Sequence, residues 1–160
     1  MYRVGNHARH IPSGSGFSNT GHRGIDVTNG SGTSISGFPI YAQGPGTAKV
    51  VNGSTGSTAG FYVIIQYDNG YVARYLHVQQ SGRVAEGTRV TSQTRIAYTS
   101  NTGTPALGSG ITVYVPHLHY DVIHINDVTD KVTFSDLGQS NSSNINPTGT
   151  PGLFPSGTFN

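Results

Sequence analysis

The sequence predicts an all-β domain, and three observations carry that expectation. Glycine is abundant, at 23 of 160 residues, and Ser, Thr and Asn are frequent; such a composition favours many short strands and turns over helices. No window sustains the 3.6-residue apolar period of a helix. The third observation is a hairpin. Phe61-Tyr62-Val63-Ile64-Ile65-Gln66-Tyr67 reads as a strand, Asp68-Asn69-Gly70 as a turn, and Tyr71-Val72-Ala73-Arg74-Tyr75-Leu76-His77 as the returning strand. A chain of this length makes one ordinary domain with a real core, although only 34% of it is hydrophobic.

The remaining elements follow in order. Residues Met1 to Thr20 are turn-rich and read as a surface arm, with His7 and His10 as exposed arm histidines. In Gly21-His22-Arg23-Gly24-Ile25-Asp26-Val27 the last three residues begin a strand, and Gly24 argues against a helix. Asn29 to Gly37 is a Gly/Ser/Thr loop. Phe38–Ala42 and Thr47–Val51 are short strands divided by Gly44-Pro45-Gly46. In the second hairpin strand Tyr71, Ala73, Tyr75 and His77 share one face, with His77 at the sheet margin. Arg89-Val90, Arg95–Tyr98 and Ile111–Tyr114 supply further strands, and Ser100 to Gly110 is a polar, glycine-rich loop. Pro116-His117-Leu118-His119-Tyr120-Asp121-Val122 is the central strand. Its alternation sends His117, His119 and Asp121 to one face and Leu118, Tyr120 and Val122 to the other. Lys131–Phe134 reads as a last strand. The domain is expected over residues 1–137, followed by a Ser/Asn/Gly/Pro-rich tail or linker over 138–160.

Composition excludes several classes of function. There is no cysteine, so disulfides and thiolate metal sites are absent, and any transition metal must use His and carboxylate ligands. Nine Lys and Arg stand against seven Asp and Glu. The basic residues are scattered rather than gathered into a phosphate footprint, which argues against nucleic acid as a partner. Apolar runs such as Tyr62-Val63-Ile64-Ile65 fall far short of the roughly 18 residues of a membrane span. No basic start followed by an apolar run marks a signal peptide. The expectation is a mature or trimmed domain, or one exported by another route such as a phage particle.

Same-face neighbours on the central strand are roughly 6–7 Å apart. His117 and His119 are therefore too distant to share one hydrogen bond. The spacing suits one histidine on a metal and the other beside a bound water or substrate; the plain alternative is an exposed polar strand face. His22-x-x-x-Asp26, placed earlier in the chain, supplies the remaining ligand types for a zinc site with one open position. Two histidines, His77 among the candidates, are then left to move protons or hold a developing oxyanion.

With these motifs in order, the chain resembles the lysostaphin-type zinc metallopeptidases of family M23, the β-lytic and glycyl-glycine endopeptidases. The resemblance covers about residues 13–125. It runs through Ser15-Gly16-Phe17, His22-Arg23-Gly24-Ile25-Asp26, Phe38–Ala42 with Gly46–Val50, Tyr75-Leu76-His77, Val84 to Val90, and Pro116-His117-Leu118-His119-Tyr120-Asp121. It implies a twisted antiparallel sheet with a groove walled by the loops Asn29–Gly37, Asn52–Gly60 and Ser100–Gly110. It implies one zinc ion on His22, Asp26 and His119, with His77 and His117 acting around the water and the scissile carbonyl, either of them as the base. The implied activity is zinc-dependent endopeptidase cleavage in bacterial peptidoglycan stems or cross-bridges, outside the cell, in the envelope or on a phage virion. Asp121 is an alternative carboxylate ligand to Asp26, although a role beside the ligands fits it better. The chain departs from the family at Val115 for Gly, Asp121 for Glu and Ser92 for Gly. It also departs at Ser18-Asn19-Thr20 and in the insertion-like stretch from Pro105 to Gly110. Rival expectations are a non-catalytic wall-binding or regulatory module and the muralytic domain of a phage tail structural protein.

Overall fold

A computed structural model describes residues 24–27, 35–124 and 144–145. Nine strands form among the described residues: β1 (Ile25–Val27), β2 (Pro39–Tyr41), β3 (Gly46–Gly53), β4 (Phe61–Tyr67), β5 (Tyr71–Val78), β6 (Arg89–Val90), β7 (Arg95–Tyr98), β8 (Leu118–His124) and β9 (Asn144–Ile145). No helix occurs among the described residues, and none is long and apolar enough to cross a membrane. All pairings among the described residues are antiparallel. The large sheet has the order β1-β8-β5-β4-β3-β6, with β9 also on β8, and β2 with β7 makes a small second sheet. The all-β, antiparallel expectation therefore holds.

The β4–β5 hairpin forms where aromatic and β-branched residues crowd a short turn. Gly70 takes φ 88° there, a backbone state that a side chain disfavours. Alternation then sorts the two faces of the large sheet. Ala48, Val63, Ile65, Ala73, Tyr75, Leu118, Tyr120 and Val122 point toward the small sheet, where they meet Ile40, Ala42, Ile96 and Ala97 in the main core. Inside that core the hydroxyls of Tyr67, Tyr75 and Tyr120 bond to one another, and the Gln43 amide donates to the Tyr75 oxygen, so the buried phenols are satisfied. Tyr75 is thus a core residue. The other face carries a smaller cluster of Ala59, Tyr62, Ile64, Val72 and Leu76.

Two expectations change. Ile111–Tyr114 is not a strand. Both edges of β8 are already taken by β1 and β5, so the segment cannot pair with the strand that follows it. Instead it follows turns at Gly108 and Gly110, with φ 82° and 76°, and is tied down where the Tyr114 hydroxyl donates to the Thr58 carbonyl. The second change is at His77. It does not share the face of Tyr75; Val78 takes that place in the main core. The ladder shows why: Tyr62 pairs with Leu76 but Phe61 pairs with Val78, so His77 is the extra residue of a bulge, at φ 62°. Asn144–Ile145 falls in the stretch expected as a tail and pairs with Val122 and Ile123. The expected strand Lys131–Phe134 and the arm histidines His7 and His10 lie outside the described residues.

Candidate active site

Register places one row of side chains across the sheet face that looks away from the main core. Asp26 pairs with His119, His119 with Leu76, Leu76 with Tyr62, and Tyr62 with Asn52. With strands about 4.8 Å apart, this row is a floor roughly 19 Å long. Asp26 and His119 stand at one end. At the other, Asn52, Ser54, Ser57, Thr58 and Tyr62 line an open cleft. One step along the strands lies the next row, with Arg74 facing Asp121.

The His119 ring is held between two carboxylates. Nδ1 lies 3.2 Å from Asp26 Oδ1 and Nε2 lies 3.0 Å from Asp121 Oδ2. Burial disfavours a charged ring here, but the hydrogen bonds to Asp121 and Asp26 outweigh it and raise the His119 pKa to about 9. Asp121 is in turn clamped by the Arg74 guanidinium, which donates from Nε to Oδ1 at 2.7 Å and from Nη2 to Oδ2 at 2.6 Å. Burial works against the Asp121 carboxylate, yet Arg74 and His119 together keep its pKa below the ordinary value. Gly24 closes the array from the side. A Cβ there would stand 2.7 Å from His119 Nε2 and 2.8 Å from the Asp121 Cβ.

Two further histidines face this array. His117, just before β8, is buried, and its Nδ1 donates to the Val115 carbonyl at 2.6 Å. A carbonyl can only accept, so the proton is on Nδ1. That leaves Nε2 turned to the site, 3.4 Å from Asp26 Oδ1. His77 reaches the same place from β5. Its ring centroid is 4.8 Å from that of His117 and 6.2 Å from that of His119, and Tyr114 lies against it at 4.3 Å. By the same argument Nδ1 of His77, which donates to the Thr102 carbonyl at 2.9 Å, carries the proton and leaves Nε2 as the basic nitrogen. Burial, aided by the nearby rings of His117 and His119, pushes the His77 pKa down to about 3, so the ring is neutral across the physiological range.

The structure thus brings Asp26, His77, His117 and His119 into one pocket, and His22 lies outside the described residues. The model of peptidase family M23 matches residues 20–133. The chain belongs to this family. Among curated proteins it is similar to two peptidoglycan DD-endopeptidases of Vibrio cholerae. With ShyA it shares 37% identity over 64% of this chain and 20% of the relative, and with ShyC 33% over 76% of this chain and 24% of the relative. It therefore spans about a quarter or less of the length of these relatives. Among solved structures it resembles LytU, with a TM-score of 0.55 and 26% identity over 79% of this chain and 70% of that one. It also resembles the catalytic domain of EnpA, a prophage-encoded M23 protein from Enterococcus faecalis, with a TM-score of 0.51 and 26% identity over 68% and 72%. The lysostaphin catalytic domain of Staphylococcus simulans shares the fold, at TM-score 0.57 and 19% identity over 84% of each chain.

Within this M23 domain the donor set suits a metal ion. Two ligands held about 2.0–2.1 Å from a tetrahedral zinc stand roughly 3.3 Å apart, and Asp26 Oδ1 and His119 Nδ1 are separated by 3.2 Å. Asp121 is at the other ring nitrogen, where it holds the imidazole. Among the described residues no group of three His, Asp or Glu side chains could hold a metal; the expected third ligand is His22. Sequence reasoning missed Arg74 and Thr102. Arg74 left a signal, a charged residue in the middle of an apolar strand. Thr102 left none, being one of many hydroxyl residues in a polar loop.

Proposed function

We propose that this M23 domain is a zinc-dependent endopeptidase that hydrolyses peptide bonds in bacterial peptidoglycan. The observation that carries the reading is the convergence of Asp26, His119, His117 and His77 at one end of the groove floor. The names of the two Vibrio cholerae relatives support the substrate class. Asp26 and His119, with His22, are the residues that would hold the ion. Bound there, zinc supplies Lewis-acid polarisation of the scissile carbonyl and acidifies a water.

The protein's own groups do the rest. Asp121 accepts the Nε2 proton of His119 and so directs Nδ1 toward Asp26, the arrangement expected of a carboxylate behind a metal-binding imidazole. His77 and His117 each commit the Nδ1 proton to a carbonyl and turn the Nε2 lone pair to the pocket, and either of them would take the proton of the attacking water. His117, whose Nε2 faces Asp26, donates from that nitrogen once protonated and steadies the charge that develops on the substrate oxygen. The floor from Leu76 through Tyr62 to Asn52 and the wall of Ser54, Ser57 and Thr58 suit an extended peptide of small residues.

The test is mass spectrometry of purified peptidoglycan after digestion, with zinc content measured in parallel. His119→Ala should lose zinc and activity together. His77→Ala and His117→Ala should keep zinc while turnover drops by roughly 10²–10⁴-fold, the usual scale of acid–base help. A zinc-loaded wild-type chain that leaves every peptide cross-link intact overturns the proposal.

A further inference from the structure

His77 sits where a strand would not normally hold it. Its φ of 62° is in the left-handed region, which a non-glycine residue disfavours and which persists only when the surroundings impose it. Two bonds impose it here: the His77 amide donates to the Ala59 carbonyl at 3.1 Å, and the ring Nδ1 donates to the Thr102 carbonyl at 2.9 Å. The second acceptor is on a loop with no ladder of its own, so something must fix that loop.

The Thr102 side chain does so. Its hydroxyl donates to the Val78 carbonyl at 2.7 Å and accepts from the Phe61 amide at 3.1 Å. Phe61 and Val78 are facing residues of the β4–β5 ladder, next to the bulge. The hydroxyl is therefore wedged between two strand atoms as a one-atom spacer, at the point where His77 leaves the pleat. Neighbouring glycines allow the approach. A Cβ on Gly60 would come within 2.2 Å of the Thr102 carbonyl oxygen, and one on Gly103 within 2.8 Å of the Gly60 amide. A second tie, from the Thr104 amide to the Ser57 carbonyl at 2.9 Å, holds the same two loops together beyond the wedge.

We infer that Thr102 is the positioning residue for His77, its hydroxyl pinning the carbonyl that fixes the imidazole as the Nδ1–H tautomer with Nε2 toward the groove. The inference deepens the proposed function and rests on the role given there to His77. Valine has the shape of threonine without the hydroxyl. In Thr102→Val a methyl takes the place of the hydroxyl, so the Phe61 amide and the Val78 carbonyl lose their shared partner; satisfying them requires expelling the methyl from between the strands, and the loop carbonyl moves away from the ring.

The experiment is long-range proton–nitrogen NMR of the histidine rings in the full chain, combined with turnover and zinc content. Wild type should show His77 protonated at Nδ1. Thr102→Val should shift that signal toward the other tautomer, and turnover should fall by roughly 10–100-fold, the scale for losing a group that orients a functional histidine, with zinc content unchanged. Thr102→Ser keeps the hydroxyl and should restore both. A wild-type His77 protonated at Nε2 overturns the inference and needs no variant. So does a folded Thr102→Val with unchanged tautomer and turnover; Thr102→Ala serves if the valine chain does not fold. If His77→Ala retains full turnover while the tautomer still answers to Thr102, the role of His77 falls and the Thr102 linkage stands.

Discussion

Replacing Arg74 by Met would measure how firmly the floor of the site is held. Arg74 and Asp121 make two bonds, at 2.7 and 2.6 Å, with side chains 9% and 1% exposed. Arg89 and Asp68 also make two bonds, both at 2.7 Å, but with side chains 62% and 50% exposed. The bond geometry matches and burial differs. Taking one partner from a buried pair leaves the other charge uncompensated and costs about 3–5 kcal/mol. His119 remains 3.0 Å from Asp121, which sets the expectation at the low end, about 3 kcal/mol. With an m-value of about 2 kcal/mol/M in urea, the midpoint should fall by about 1.5 M. Arg89→Met should leave the midpoint in place, because water already screens that pair. Arg74→Met combined with Asp121→Leu should recover part of the loss, since no stranded carboxylate remains. Urea unfolding followed by tyrosine fluorescence suits a chain with nine Tyr and no Trp, and chelator in all samples removes any contribution from metal. Equal midpoints for the two single variants would refute the reasoning.

Other outcomes follow from the same geometry. Gly24→Ala should lower zinc affinity by about 10–100-fold, because the new methyl would collide with His119 Nε2 and the Tyr120 carbonyl oxygen; Gly44→Ala, with nothing within 4 Å, is the neutral control, and competition with a zinc indicator reads both. Chelation should lower the melting temperature and added zinc should restore it, since an ion bound only by the native state adds RT ln(1 + [L]/Kd); identical melts would leave the site without a metal. The pH dependence should change sign with metal. In the metal-free chain the His119 pKa is raised from 6.5 to about 9, so its stabilisation is complete below pH 6.5 and is lost as pH rises toward 9. Zinc must displace the Nδ1 proton, so the loaded chain should instead gain from rising pH; melts at pH 6.5 and 9, with and without zinc, check both directions.

Most of the fold was legible because strand periodicity is local. Alternation alone put Leu118, Tyr120 and Val122 on one face and His119 and Asp121 on the other; the structure agrees and makes the first face the core. The same rule failed at His77, because a single left-handed residue reverses the parity of everything after it and no turn residue announces it. It failed again at Ile111–Tyr114, whose β-branched residues look like a strand although the strand that follows, β8, already has a neighbour on each side. The pairing of Arg74 with Asp121 depends on β5 lying next to β8, which only the topology supplies. The Thr102 hydroxyl required the bulge first, and the bulge was itself unseen.

The order β1-β8-β5 has a consequence for how the molecule is made. β8 enters between two strands that precede it in the chain, and it brings His119 to Asp26 across 93 positions. Until residue 118 and its successors arrive, β5 is an open edge with apolar side chains on both faces, the kind of surface that pairs with other chains. Closing so long a loop is entropically slow. Insertion of β8 is therefore expected to be the late event of folding, with the pocket forming at that step. A nascent chain stopped short of β8 has no Asp26–His119 pair, and it carries its greatest risk of aggregation.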